Sequence, residues 1–286
     1  SRGLGDVYKR QPYDGFSRNL PSSIFILPVI AELGLPIVSH GVFSVGPKYG
    51  CTHHLTLKEL GYNSNNDHQE IVERLENKDI GWAYADQSMF NPKLHNLMSL
   101  RKQIIKRPVI TTVEVLVKPV SSKNDMFFTG FVHKPYPPIY LELSRNAQFN
   151  SATVIRGTEG GIIPSLRQTG KVHFYHSAGE QNDYYDVTPE DLGIVQSSRA
   201  VDIPEEITRK NTKDKIESKV DAVDIAKETI KSGTSALSGN DGPMLSCIQL
   251  GAAIILQRAT GNDLGNCSKE VLRVLKSGAA LKRMKR

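Results

Sequence analysis

The residues best suited to chemistry sit in one stretch, Val154-Ile155-Arg156-Gly157-Thr158-Glu159-Gly160-Gly161-Ile162-Ile163-Pro164. An apolar run entering a glycine-rich turn predicts a strand followed by a loop, and in an open α/β sheet the loops at the carboxyl ends of the strands hold the ligand. Gly157, Thr158 and Glu159 are therefore candidate ligand contacts. Two further segments would meet the turn at the same edge: Tyr13-Asp14-Gly15-Phe16-Ser17-Arg18 and Ser39-His40-Gly41-Val42-Phe43-Ser44. They add Asp14, Gly15, His40, Gly41 and Ser44, and Ser23 follows at a predicted helix start. A histidine at a strand end either contacts a ligand phosphate or serves as a structural hydrogen-bonding group, and both readings of His40 stay open. His53 and His54 are adjacent, so they project differently from a helix and do not suit a shared metal.

Phosphate is the ligand chemistry that the charge favours. The 286-residue chain carries a formal charge of +6, and an excess of Lys and Arg gains affinity through counterion release from sugar phosphates or a nucleic-acid backbone. Candidate backbone contacts are Arg18, Lys48, Arg101, Lys102, Lys106, Arg107, Arg156, Lys282, Arg283, Lys285 and Arg286. Residues 101–107 hold four cations in seven positions, either a binding cluster or a solvated helix face. The closing Leu281-Lys282-Arg283-Met284-Lys285-Arg286 is either a phosphate-binding tail or a helix end whose cations suit the negative pole of the helix dipole.

Positioning these groups requires a sheet. Apolar runs bounded by Gly and Pro alternate with stretches at helical spacing, which predicts an α/β fold with a central sheet flanked by helices. Strands are expected near residues 35–39, 80–83, 127–131, 171–175 and 184–187. Helices are expected over 22–33, 52–60, 67–76, 91–105, 220–231, 244–259 and 268–284. In Thr188-Pro189-Glu190-Asp191, Thr at the N-cap, Pro at the first helical position and acids in the first turn announce a short helix. Residues 199–219, charged and aperiodic, read as a loop.

With 39% hydrophobic residues the chain can bury a substantial core. Residues 1–11 read as extraneous, adaptor-like sequence ahead of a domain over 12–286, and they lack the apolar centre of a signal peptide. No run approaches the ~18 consecutive apolar residues that a membrane helix needs. Cys51, Cys247 and Cys267 are odd in number, far apart and without C-x-x-C spacing, which argues against a disulfide framework or a zinc site. A soluble protein of the reducing cytoplasm, free of metal, is expected.

Several sequence words resemble a known family. Leu35-Pro36-Ile37-Val38-Ser39-His40-Gly41, a following helix ending Leu57-Lys58-Glu59-Leu60-Gly61, the element Tyr185-Asp186-Val187-Thr188-Pro189-Glu190-Asp191-Leu192-Gly193 and the closing Leu275-Lys276-Ser277-Gly278-Ala279-Ala280-Leu281 are similar to anthranilate phosphoribosyltransferases, glycosyltransferase family 3. The resemblance runs over residues 12–284. It implies that family's phosphoribosyltransferase-like sheet, with the small N-terminal helical domain largely missing. Those enzymes cradle phosphoribosyl pyrophosphate in a Gly-Thr-Gly-Gly-Asp loop and anchor magnesium with an Asp-Glu pair. This chain has Pro12-Tyr13-Asp14-Gly15-Phe16 at the first position and Ile162-Ile163 at the second, so the hard oxygen ligands are gone. Ser23 alone keeps its register at the phosphate-holding helix start, and Ser39 and Val42 stand where the family has Lys and Asn. Arg101 matches the anthranilate-side arginine, and Ser44 and Lys48 stand where the family binds a second magnesium or the pyrophosphate.

Tyr13-Asp14-Gly15 and Arg156-Gly157-Thr158-Glu159-Gly160 are closer to a divergent branch with Tyr-Asn-Gly and His-Gly-Thr-Glu-Gly loops. That resemblance implies a homodimer that binds nucleic acid without strong sequence preference and without demonstrated transferase activity, and no cofactor is expected. The alternative is an active transferase moving phosphoribose from phosphoribosyl pyrophosphate to anthranilate or a related aromatic acceptor, with Mg2+. A third reading is a relic that binds a small phosphorylated metabolite.

Overall fold

The structure, a computed structural model, describes residues 7–9, 13–104, 109–207 and 217–286. In chain order the elements are β1 (Val7–Lys9), α1 (Ile26–Glu32), β2 (Ile37–Gly41), α2 (His53–Glu59), α3 (His68–Glu76) and β3 (Trp82–Asp86). Four short helices follow, α4 (Gln87–Phe90), α5 (Pro92–His95), α6 (Met98–Gln103) and α7 (Ile110–Val113), then β4 (Met126–Gly130), α8 (Tyr136–Asn146), β5 (Ser151–Ile155), β6 (Gly170–Tyr175) and β7 (Asp183–Val187). The chain closes with α9 (Ala222–Leu237), α10 (Pro243–Thr260), α11 (Leu264–Ser277) and α12 (Ala279–Met284).

The strands form one seven-stranded sheet in the order β3-β2-β1-β4-β5-β6-β7. β1 to β5 run parallel, and β6 and β7 return antiparallel at one edge. β1 lies within the stretch set apart as extraneous, and its backbone pairs with both β2 and β4. Because side chains alternate along a strand, each central strand feeds two cores. Ile37, Trp82, Tyr84, Phe128 and Ile155 face one layer, covered by α1 and the carboxyl-terminal helices. Val38, Ala83, Ala85, Phe127 and Val154 face the other, with Ile71 of α3 and Leu141 of α8. α10 is buried along Met244 to Leu256 because α1, α9 and α11 all pack on it.

Three expected elements change. The helix over 91–105 divides into α5 and α6: Asn91 caps α5 by accepting from the Leu94 N–H, and Leu97, Leu100 and Ile104 stay 37%, 50% and 42% exposed. With so little apolar area to bury, a long helix there lacks tertiary support. The helix over 268–284 breaks at Gly278, whose φ of +70° is the left-handed end of α11. The sequence reading assigned nothing to α8, because Pro135, Pro137 and Pro138 punctuate its start; prolines in a first turn leave the helix intact. The short helix after Thr188 forms as a 3-10 turn, Pro189–Leu192. Its Thr188 hydroxyl bonds Thr169 at 3.0 Å instead of capping the turn.

Candidate functional site at the carboxyl edge of the sheet

The parallel strands end at Lys9, Gly41, Asp86, Gly130 and Ile155, and the loops leaving β1 and β5 interlock with each other and with a loop beyond β7. After β1, Tyr13-Asp14-Gly15 turns sharply: Gly15 has φ +78°, and a Cβ there would lie 2.5 Å from the backbone of Gly50. Only glycine fits both demands. After β5, the backbone of Gly157 to Gly161 folds onto the end of β4, and a Cβ on Gly130 or Gly157 would overlap the Gly161 carbonyl. A third loop joins them where Leu20 donates its N–H to Val201 O at 2.8 Å and Leu166 to Arg199 O at 2.9 Å.

Glu159 ties the first two loops together. One carboxylate oxygen accepts the N–H of Arg18 at 2.7 Å and of Asn19 at 2.8 Å, and the other accepts the N–H of Ser17 at 3.1 Å and its hydroxyl at 3.3 Å. Lys48 Nζ stands 3.6 Å from Glu159 and 3.5 Å from Asp14. Glu159 itself has φ +51°, a left-handed conformation that costs a non-glycine residue about 1–2 kcal/mol, so the clamp outweighs local strain.

Beside this junction lies a cleft of about 280 Å³ lined by Tyr13, Asp14, Arg101, Glu114, Phe131, His133, Tyr136, Tyr140 and Glu159. Arg101 does not present a free charge to it. Its guanidinium donates to Glu114 at 2.6 Å, both side chains being nearly inaccessible. The one arginine among these lining residues is thus matched by a buried carboxylate.

The sequence candidates divide accordingly. Asp14, Gly15, Lys48, Gly157, Thr158 and Glu159 come together as a locked junction, with Arg18 and Arg156 exposed beside it. His40 takes its structural reading: it is 2% exposed, and its Nδ1 hydrogen-bonds the Tyr13 hydroxyl. A Cβ on Gly41 would sit 3.1 Å from the Tyr84 hydroxyl, and Ser44 is exposed. Ser23 is buried, bonded to His53 Nε2 at 2.9 Å, while Ser39 holds His53 Nδ1 at 3.0 Å. His54 turns away to Ser64 at 2.9 Å, as the adjacency of the two histidines predicts. Burial pushes the Cys51 and Cys247 thiols up to about 12, so neither is a thiolate nucleophile at neutral pH.

Of the four cations in 101–107, Arg101 is spent on Glu114, the Lys102 side chain lies outside the described part of the structure, and Lys106 and Arg107 lie outside the described residues. The carboxyl-terminal tail is at the opposite edge. Arg283 bonds Glu32 at 2.7 Å and the carbonyls of Lys78 and Ile80, and Arg286 bonds Asp79 at 3.0 Å, all near the start of β3. Lys282 and Lys285 are exposed on that same terminal segment.

Sequence reasoning missed the Ser17 to Asn19 amides, the aromatic wall of Tyr136 and Tyr140, and two arginines, Arg167 and Arg199. The arginines are exposed on the loops that meet Arg18 and Arg156. Arg199 is 43 residues beyond Arg156 in the chain, so only the topology reveals their common edge.

Residues 19–281 match the family described as Glycosyl transferase family, a/b domain. The chain belongs to that family. Among similar proteins, an uncharacterised protein of Aquifex aeolicus is 31% identical over 156 residues, 53% of this chain and 43% of its own length. An anthranilate phosphoribosyltransferase of Aeropyrum pernix is 25% identical over 181 residues, 63% of this chain and 50% of its own. The chain thus spans about half the length of these curated relatives. The same fold occurs in the anthranilate phosphoribosyltransferase of Thermus thermophilus, with a TM-score of 0.73 at 19% identity, covering 100% of this chain and 77% of that one. It also occurs in the Saccharomyces cerevisiae enzyme in complex with PRPP and Mg, with a TM-score of 0.72 at 14% identity, covering 98% and 71%.

Magnesium, which the family implies, does not fit the residues present. Ile162 and Ile163 are 0% and 4% exposed and belong to the main core. The nearby carboxylates are committed, Glu159 to four hydrogen bonds and Asp14 to Lys48. Among the described residues no group of three His, Cys, Asp or Glu side chains is placed to hold a metal. No helix among them is long and apolar enough to cross a membrane.

Proposed function

We propose that this anthranilate phosphoribosyltransferase-like member of the family is a nucleic-acid binder without magnesium-dependent pentosyl transfer. One observation carries the reading. Arg18, Arg156, Arg167 and Arg199 are exposed on three interlocked loops, at the edge where the isoleucines that the resemblance sets against the metal-binding carboxylates are buried. None of the four makes an ion pair among the described residues. Uncommitted guanidiniums on a rigid frame suit backbone phosphates, which position a nucleic acid without reading its sequence. Asp202, whose backbone bridges to Asn19 beside Arg18, and Glu205 and Glu206 are exposed on the same stretch as Arg199. On this reading the whole protein is a homodimer of the cytoplasm that works without a cofactor.

The second reading, transfer of phosphoribose to anthranilate or a related aromatic acceptor, is favoured by the aromatic cleft with Arg101 in its wall. Calorimetry separates the two. Phosphoribosyl pyrophosphate titrated with Mg2+ is expected to give no heat, while a single-stranded oligonucleotide binds with an affinity that falls steeply with salt. Heat with the first ligand and none with the second would reverse the assignment.

A further inference from the structure

Three consecutive backbone amides, of Ser17, Arg18 and Asn19, converge on one carboxylate, with the Ser17 hydroxyl and Lys48 Nζ completing the surround. Successive N–H groups that close on one point form a concave anion site, the arrangement that proteins use for phosphate. Here the anion belongs to the chain itself. Glu159 reaches the site from a different loop, 140 residues away from Asn19 in sequence, and holds a left-handed backbone at φ +51° to do so. It also lines the cleft, with Asp14 and Gly160, so an anion entering from the cleft meets this carboxylate first.

We propose that the Ser17 to Asn19 amides form a phosphate site masked by Glu159, an intramolecular plug that a phosphomonoester dianion must displace. The carboxylate satisfies the same donors that a phosphate would, so its departure exposes a preformed site; while it stays, external phosphate binds only to the plug-out fraction. If that fraction is on the order of 1%, apparent affinity is weakened about 100-fold. The proposal shares an edge with the nucleic-acid surface but rests on backbone amides, whereas that surface rests on arginine side chains.

The test is binding of inorganic phosphate to wild type, Glu159→Gly and Glu159→Gln at constant ionic strength, followed by calorimetry and by the amide signals of residues 17–19 in nuclear magnetic resonance. Glycine relieves the left-handed strain while removing the plug, so this variant is expected to stay folded. Glutamine keeps the shape but offers a single acceptor oxygen and an NH2 group that cannot accept, which loosens the plug. Phosphate should bind the glycine variant more tightly than wild type, by about 100-fold for a plug-out fraction on the order of 1%, with glutamine between the two, and should move the three amide signals. In wild type the same signals should move only at high phosphate, against a chloride control. The proposal is overturned if folded variants gain no affinity, if a gain leaves those amides unmoved, or if wild type binds as tightly as the glycine variant. Should either variant fail to fold, the other decides, and the wild-type signals decide if both fail. Oligonucleotide binding by the arginines stands or falls separately in each outcome.

Discussion

At the carboxyl edge Arg18, Arg156, Arg167 and Arg199 stand exposed without an ion pair among the described residues, whereas at the amino edge Arg283 is tied to Glu32 and to two backbone carbonyls. Both regions contribute to the same excess of positive charge. Arg283 staples α12 to the end of α1 and the start of β3, where its charge and hydrogen-bonding capacity are spent inside the fold. The four arginines of the loops keep theirs. A count of cations says how much charge a chain holds, and only the partners say where another molecule can use it.

The largest expected effect attacks the carboxyl edge itself. Ile162→Asp, an acid where the resembling enzymes have their metal pair, places a carboxylate at a fully buried core position, which should destabilise the fold by about 4 kcal/mol or more. Urea denaturation measures this, and a variant as stable as wild type that gains Mg2+ binding would refute the placement of Ile162 in the core. Next, replacing Arg18, Arg156, Arg167 and Arg199 together by alanine should weaken oligonucleotide binding about 100-fold and flatten the logarithmic salt slope by about 3, with little change in stability. Lys282→Ala with Lys285→Ala, on the terminal segment, should leave that affinity within about twofold, a further check on the comparison.

Arg283→Ala is expected to do the reverse of the loop variants. It should lower stability by about 1–2 kcal/mol, because Glu32 and two carbonyls lose a charged donor, and leave oligonucleotide binding unchanged in an anisotropy titration. The smallest effect concerns pH. Burial, opposed by Asp86 and assisted by Lys58, holds His54 below the ordinary histidine value. The unfolded chain therefore takes up this proton before the folded one does as pH falls. Stability from this group is fully present above the ordinary histidine value and declines as pH drops below it. The urea midpoint should fall between pH 7.5 and pH 5.5, and by less in His54→Gln; a rise would contradict the sign.

Much of the fold is legible in the sequence, because each central strand must alternate between two cores and each long helix carries an apolar face. Ile37 with Val38 and Phe127 with Phe128 point to opposite layers, as strand period demands. The family words around His40-Gly41 and Tyr185 lead to the right fold as well. What the sequence could not convey is pairing across long separations. Arg101 looks like a ligand arginine until Glu114 is found against it. Glu159 looks like a ligand contact until the amides of Ser17 to Asn19 are found to be its partners. His40 is hidden behind Tyr13, which comes from another loop. In each case a polar residue type announces a need for partners and not whether the fold already supplies them.

The central claim, that the carboxyl edge binds nucleic-acid phosphates through uncommitted arginines, is tested most directly by one anisotropy experiment. A labelled single-stranded oligonucleotide is titrated with wild type and with the variant lacking Arg18, Arg156, Arg167 and Arg199, over a series of salt concentrations. Wild type is expected to bind with an affinity that weakens linearly on logarithmic axes as salt rises, and the variant to give a flatter, much weaker line. Absence of wild-type binding at low salt, or superimposable lines for the two proteins, would contradict the claim.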